Sequence, residues 1–105
     1  MSKHKFSGKL QELIEKAETG NAIDVDFIMS HLNADSTFEL TRYVDFALGL
    51  VNDINGITRI EYYLFNGSLI QRNYSSLFFN RRYNYEIVMK AFSQGLIDEI
   101  QAFAR

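Results

Sequence analysis

The sequence predicts an all-α fold of about six or seven short antiparallel helices, arranged either as a compact bundle or as a stack of helical pairs. Apolar residues recur at helical spacing in nearly every segment, and no segment of useful length alternates apolar and polar residues. The 105 residues contain no proline, which interrupts helix interiors. Because the predicted connections are short, neighbouring helices are expected to run antiparallel.

A three-part signal that ends one helix and starts the next recurs along the chain. A glycine suits the left-handed position that ends a helix, an isoleucine can pack onto the new helix, and a polar side chain can cap it. The signal occurs as Gly20 with Ile23 and Asp24, as Gly56 with Ile57 and Thr58, and as Gly95 with Ile97 and Asp98. Each occurrence predicts a helix stop, a turn and a new helix.

The first two predicted helices are short. Ser7 is a suitable cap for the first helix, and Gly20 is its expected end. Asp24 is expected to start the second helix, which should end near Asn33. Apolar residues at helical spacing predict the buried side of the first helix: Leu10, Leu13, Ile14 and Ala17.

The third predicted helix is the longest. Ser36 and Glu39 have the spacing of a capping box, in which each side chain bonds to the backbone of the other residue. Asn55 and Gly56 are expected to end this helix. Its wide apolar face consists of Leu40, Tyr43, Val44, Ala47, Leu48, Leu50 and Val51.

Capping signals also divide the second half of the chain. Thr58 is expected to start the fourth helix, and Asn66 with Gly67 to end it. Ser68 and Gln71 form a second predicted capping box at the start of the fifth helix. The remaining boundaries are Asn84 as the start of the sixth helix, Gly95 as its end and Asp98 as the start of the seventh.

Composition predicts one cytoplasmic domain spanning residues 1–105, with residues 1–6 as a disordered tail. The net charge of −2 provides no general attraction to nucleic acid or anionic membranes. The chain has no cysteine, which excludes disulfides and cysteine-based metal sites. No segment approaches the ~20 apolar residues of a membrane span, so no membrane role is expected.

The sequence predicts no catalytic residue, metal site or cofactor. The only histidines are His4 and His31, and no serine lies in a Gly-x-Ser-x-Gly elbow. His31 and Asp35 have metal-ligand spacing on a helix, but the predicted helix ends at Asn33, between them. The glycines do not cluster into a phosphate-binding loop. We therefore expect a protein that is not an enzyme.

The chain resembles the HEAT and armadillo families of α-helical repeat from about residue 24 to residue 105. The resemblance rests on the glycine-isoleucine signal, whose polar residues are about 34 and about 40 residues apart. It also rests on two similar openings, Ser36 with Glu39 and Ser68 with Gln71. The resemblance implies a scaffold that binds another macromolecule. A compact helical bundle without repeat ancestry is the alternative.

Residues 66–85 have an unusual composition, because they include three arginines and several aromatic residues but no acidic residue. A projection of the fifth helix at ~100° per residue gives two apolar faces. The presumed core face carries Ile70, Tyr74, Leu77 and Phe78. The opposite, candidate interaction face carries Arg72, Ser76, Phe79, Arg82 and Tyr83.

A helix with two apolar faces either lies between neighbouring helices or presents one face to a partner. Our leading interpretation is a non-enzymatic helical module that binds a protein partner or self-associates, since arginine and aromatic residues dominate protein interfaces. A nucleic-acid-associated accessory protein is the second possibility. The third is a small-ligand sensor, whose aromatic pocket would be formed by Tyr62, Tyr63, Phe78 and Phe79.

Overall fold

The computed structural model describes residues 8–105, which form seven α-helices and no strand. The helices are α1 (Gly8–Thr19), α2 (Ala22–Met29), α3 (Phe38–Gly49), α4 (Ile54–Asn66), α5 (Leu69–Arg81), α6 (Tyr85–Ser93) and α7 (Glu99–Phe103). The predicted all-α fold is confirmed. The tail predicted at residues 1–6 and the Ser7 cap lie outside the described residues. No helix within residues 8–105 is long and apolar enough to cross a membrane.

Contacts group the chain into two compact units, Met1–Arg59 and Ile60–Arg105. In the first unit, α1, α2 and α3 pack against one another. In the second unit, α5, α6 and α7 do the same. Helix α4 begins in the first unit and ends in the second. The single domain expected from the sequence stays a prediction, and the two units are described separately.

The first unit buries apolar side chains that recur every three or four residues along its helices. Of the four residues predicted for the buried side of α1, Leu13, Ile14 and Ala17 are buried and Leu10 is half-buried. Arg59 Nε donates a hydrogen bond to Asp26 Oδ1 over 2.7 Å and so joins the first turns of α4 to α2. The core of this unit consists of Leu13, Ile14, Ala17, Val25, Ile28, Met29, Leu32, Val44, Ala47, Leu48 and Val51.

Two helix caps in the first unit differ from the prediction by one to three positions. The cap of α2 is Asn21, whereas Asp24 is its partner in a capping box. The cap of α3 is Thr37, whose Oγ1 accepts a hydrogen bond from the backbone N–H of Leu40 at 3.1 Å. Ser36 instead bonds within the preceding turn, where it accepts a hydrogen bond from the backbone N–H of Asn33.

The predicted helix stop at Gly56 is wrong. Helix α3 ends at Gly49, and Gly56 lies inside α4. A Cβ added at Gly56 would lie 1.8 Å from the carbonyl oxygen of Gly20, so this glycine permits a close backbone approach rather than a left-handed turn. Gly20 and Gly95, the other two glycines of the three-part signal, do have left-handed backbones. Ile23, expected to pack onto α2, is 78% exposed.

The second unit follows its predicted capping signals closely. Ser68 and Gln71 form the expected capping box at the start of α5, and α4 ends at Asn66 as expected. Asp98 caps α7 in a further capping box. Asn84 occupies the cap position of α6, but its side chain makes no capping hydrogen bond. The apolar core of this unit consists of Ile60, Leu64, Phe78, Phe79, Val88, Ala91, Ile97 and Ala102.

Candidate functional site

The structure divides the candidate interaction face of α5 into buried and exposed residues. Ser76 is 0% exposed and Phe79 is 3% exposed, so neither side chain is available to a partner in this structure. Arg72 is half-buried, and its Nη1 donates a hydrogen bond to the carbonyl oxygen of Gly67 at 3.1 Å. Arg82 and Tyr83 are exposed. The accessible part of the predicted face is therefore its C-terminal end.

The burial of polar residues on α5 has a structural cause. Asn80 Nδ2 donates hydrogen bonds to the carbonyl oxygens of Ala102 and Ala104, both at 2.9 Å. Ser76 Oγ donates a hydrogen bond to the carbonyl oxygen of Asn73, which lies in the same helix, at 2.8 Å. The carbonyl groups at the end of α7 would otherwise lack partners, and Asn80 satisfies two of them. This side of α5 thus holds α7 in place.

Helix α5 ends in a Schellman motif with a tyrosine in the left-handed position. The backbone N–H of Asn84 donates to the carbonyl of Phe79 at 2.9 Å, and that of Tyr83 donates to the carbonyl of Asn80 at 3.1 Å. Among residues 8–105, Tyr83 is the one non-glycine residue with positive φ, at 63°. Its side chain is 80% exposed. The left-handed conformation turns this ring away from the core.

Arginines and tyrosines gather around this turn. The guanidinium carbon of Arg82 lies 4.2 Å from the ring centre of Phe78, and that of Arg105 lies 4.5 Å from the ring centre of Tyr85. The rings of Tyr83 and Tyr85 meet edge to face at 6.2 Å. We call this surface the arginine–tyrosine corner and define it as Arg81, Arg82, Tyr83, Tyr85 and Arg105.

The corner carries three arginines on a chain of net negative charge, and the exposed Glu86 directly follows Tyr85. Partial burial lowers the pKa of Arg82, because removal from water disfavours the charged form. Arginine nevertheless stays protonated in proteins, so Arg82 carries its charge. A guanidinium group can bind a carboxylate or a phosphate in a two-point contact.

Sequence reasoning identified part of this corner. Arg82 and Tyr83 lie on the predicted face, and Arg81 and Tyr85 belong to the stretch without acidic residues. Arg105 was missed, because nothing in the sequence places residue 105 beside residue 85. The left-handed backbone of Tyr83 was also missed, because no glycine or asparagine marks position 83 as the end of α5.

The residues of the predicted aromatic pocket lie in different environments. Phe78 and Phe79 are buried and contact each other edge to face at 5.1 Å, whereas Tyr62 is exposed.

His31 Nδ1 lies 2.9 Å from the carbonyl oxygen of Phe27, one turn earlier in the chain. Within residues 8–105, no group of three or more histidine, aspartate or glutamate residues is arranged to hold a metal ion.

The resemblance to HEAT and armadillo repeats stays a prediction, because an all-helical structure is common to many unrelated families. Comparisons with protein-family models, with curated proteins and with solved structures gave no match for this chain.

Proposed function

We propose that this chain is a non-enzymatic helical interaction module whose arginine–tyrosine corner binds an acidic segment of a partner protein. The observation that carries the proposal is the backbone of Tyr83, which has a φ of 63° while its side chain is 80% exposed. A left-handed backbone destabilises a residue with a side chain by roughly 1–2 kcal/mol relative to the ordinary helical one. Glycine would avoid this strain.

An exposed ring gives little stability in return for that strain. Backbone strain of this kind concentrates at binding sites and other functional positions. We infer that the ring of Tyr83 contacts something outside the chain, which accounts for a tyrosine in a position that strains its backbone. Tyrosine suits this task, because it offers a large contact area and loses little conformational freedom on binding.

The arginines define the chemistry of the partner. Arg82 and Arg105 each lie against an aromatic ring, at 4.2 Å from Phe78 and 4.5 Å from Tyr85. Stacking orients the guanidinium group before binding and lowers the entropy lost on contact with a carboxylate. Arginine and tyrosine are also the residues that contribute most to protein interfaces. An acidic peptide segment that carries an apolar side chain matches this surface.

Nucleic acid is the second candidate, because arginine with exposed tyrosine also suits phosphates and stacked bases. The net charge of −2 weighs against it, since nucleic-acid-binding domains are commonly basic. Salt separates the two candidates. Binding through many phosphates weakens steeply with ionic strength, whereas a small peptide interface with aromatic contacts weakens less.

The proposal can be tested by fluorescence anisotropy with two labelled probes, a glutamate-rich peptide that contains one phenylalanine and a single-stranded oligonucleotide. The double variant Arg82→Gln/Arg105→Gln is expected to bind the peptide at least tenfold more weakly than the wild type. Arg42→Gln is the matched control, because Arg42 is an exposed arginine of the first unit that also lies over a ring. It should bind the peptide normally.

Two outcomes would contradict the proposal. Equal peptide binding by the wild type and the double variant would show that the corner does not bind the peptide. Tighter binding of the oligonucleotide than of the peptide, with a steep salt dependence, would favour nucleic acid as the partner.

A further inference from the structure

Two asparagine–glycine pairs occur in the chain, Asn55 with Gly56 and Asn66 with Gly67. In such a pair the side-chain amide of the asparagine can react with the next backbone nitrogen, because glycine has no side chain to block the approach. The pairs lie at the start and at the end of α4, which spans Ile54–Asn66. The same chemical groups are therefore present in two different environments.

Hydrogen bonds hold both reacting groups of the pair at the end of α4. The N–H of Gly67 donates to the carbonyl oxygen of Tyr63 at 3.0 Å. Asn66 Nδ2 donates to the carbonyl oxygen of Tyr62 at 3.1 Å. A reaction between these two groups first requires the loss of both hydrogen bonds.

The reacting groups of the pair at the start of α4 are not held in this way. Asn55 is exposed. Within residues 8–105, neither its side-chain amide nor the N–H of Gly56 makes a hydrogen bond. Gly56 lies in the first turn of α4, where backbone N–H groups have no acceptor in the preceding turn of the helix. Both groups are therefore available for reaction.

The first turn of α4 is also able to open. Asp53 holds this turn, because it accepts hydrogen bonds from the N–H of Asn55 at 3.0 Å and from the N–H of Ile57 at 2.9 Å. Ile54 is 70% exposed, so little apolar contact is lost when the turn opens. Helix ends of this kind open locally at low cost in free energy. Opening lets the side-chain carbonyl carbon of Asn55 reach the nitrogen of Gly56.

We propose that Asn55 is a site of spontaneous deamidation. The backbone nitrogen of Gly56 loses its proton to hydroxide and forms a bond to Cγ of Asn55, while Nδ2 takes up a proton and leaves as ammonia. Water then opens the resulting succinimide ring at either of its two carbonyl groups. The products are aspartate and isoaspartate, and in isoaspartate the main chain runs through the side-chain methylene.

The isoaspartate product conflicts with the packing beside it in the first unit. A Cβ added at Gly56 would lie 1.8 Å from the carbonyl oxygen of Gly20 and 2.8 Å from Cγ1 of Val51. The backbone of Gly56 therefore lies directly against the turn between α1 and α2. An extra methylene in the main chain, one residue earlier, changes the spacing of the helix and moves Gly56 out of this contact. Deamidation at Asn55 thus lowers the stability of the first unit.

Peptide mapping by mass spectrometry tests the reaction on the full chain after incubation at neutral and at mildly alkaline pH. In the folded protein, deamidation of Asn55 is expected to be at least tenfold faster than that of Asn66, because only the reacting groups of Asn66 are hydrogen-bonded. In concentrated urea this difference should disappear, because both pairs then lie in unfolded chain. The rate at Asn55 should rise with pH, since the reacting nitrogen must lose its proton.

Thermal melting of three samples tests the effect on stability. The isoaspartate fraction, purified from aged protein, should melt at a lower temperature than the wild type. Asn55→Asp separates the effect of the charge from that of the extra methylene, and it should melt close to the wild type, since an acidic residue in the first turn of a helix is favourable. Asn55→Gln is the control for ageing, because its longer side chain would have to close a larger ring. Its melting temperature should stay constant during the same incubation.

Three results would overturn the proposal. Equal rates at Asn55 and Asn66 in the folded protein would show that the hydrogen bonds do not control the reaction. An Asn55 that stays intact in the folded protein, while both pairs react in urea, would show that the first turn of α4 stays closed. An isoaspartate fraction that melts like the wild type would show that the contact with Gly20 tolerates the longer main chain. The site shares no residue with the arginine–tyrosine corner, so either proposal can fail without the other.

Discussion

Two helix ends in the second unit have the same hydrogen bonds but different residues at the critical position. At the end of α5, Tyr83 has a φ of 63°, and at the end of α6, Gly95 has a φ of 76°. The N–H of Leu96 donates to the carbonyl of Ala91 at 3.1 Å, and that of Gly95 to the carbonyl of Phe92 at 2.9 Å. These bonds reproduce the Schellman motif at Tyr83.

The same backbone conformation is therefore met by two residues of different cost. Both ends need a left-handed residue, and glycine meets that need without strain at position 95. A tyrosine at position 83 meets it with strain and with an exposed ring. The fold alone would favour glycine at both ends. This difference is the observation on which the proposed contact between position 83 and a partner rests.

The largest expected effect is that of Phe79→Asp, one turn before Tyr83. Phe79 is 3% exposed, so the change removes core packing, which costs about 3–5 kcal/mol for a phenylalanine, and buries an unpaired carboxylate. The second unit should unfold, as measured by thermal melting. Tyr83→Asp, on the exposed side of the same turn, should melt close to the wild type. Similar melting of both variants would mean that the two positions do not differ in burial.

Local signals were sufficient to predict several helix starts. The capping boxes at Ser68 and Asp98 depend on residues three positions apart, and their bonds form within one helical turn. The Gly56 stop was wrong for the opposite reason. That glycine is required by the carbonyl oxygen of Gly20, and a sequence pattern does not show which distant backbone will come near.

The site was only partly predictable, because the sequence does not show which polar residues become buried. Projection of α5 places Phe79 and Ser76 on the face opposite the presumed core, and it does not show whether another helix covers that face. In the structure, Ser76 and Asn80 are both buried, and Asn80 bonds to the carbonyl groups at the end of α7. These hydrogen bonds place the Asn80 side of α5 against α7. The accessible part of the predicted face is therefore its C-terminal end.

A smaller effect is expected from Gly95→Val. A β-branched residue resists positive φ, so the free energy of unfolding should fall by about 1–2 kcal/mol. An added Cβ would meet nothing within 4 Å, which makes the backbone conformation the only source of the loss. Urea denaturation would measure it. The matched change Tyr83→Val should lower stability less, because the tyrosine is already strained; an equal loss at both positions would contradict that account.

The smallest change in stability, and the most informative one, is expected from Tyr83→Gly. Relief of the left-handed strain should raise the free energy of unfolding by roughly 1–2 kcal/mol. Loss of the edge-to-face contact with Tyr85 should lower it by about 0.5 kcal/mol. Glycine also gives the unfolded chain more conformational freedom, which lowers the free energy of unfolding by about 0.4–1 kcal/mol. The net result is a protein that is as stable as the wild type or slightly more stable in urea denaturation.

The affinity for the acidic peptide should fall, although the stability does not. If the ring of Tyr83 contacts the partner, Tyr83→Gly should weaken binding of the acidic peptide while the protein stays folded. Tyr83→Phe is the control, because it keeps the ring and the strain and should retain most of the affinity. A residue whose removal maintains or raises stability but lowers binding is kept for function rather than for folding. If Tyr83→Gly instead lowered stability and left peptide binding unchanged, the ring would serve the fold, and the distinction between the two helix ends would disappear.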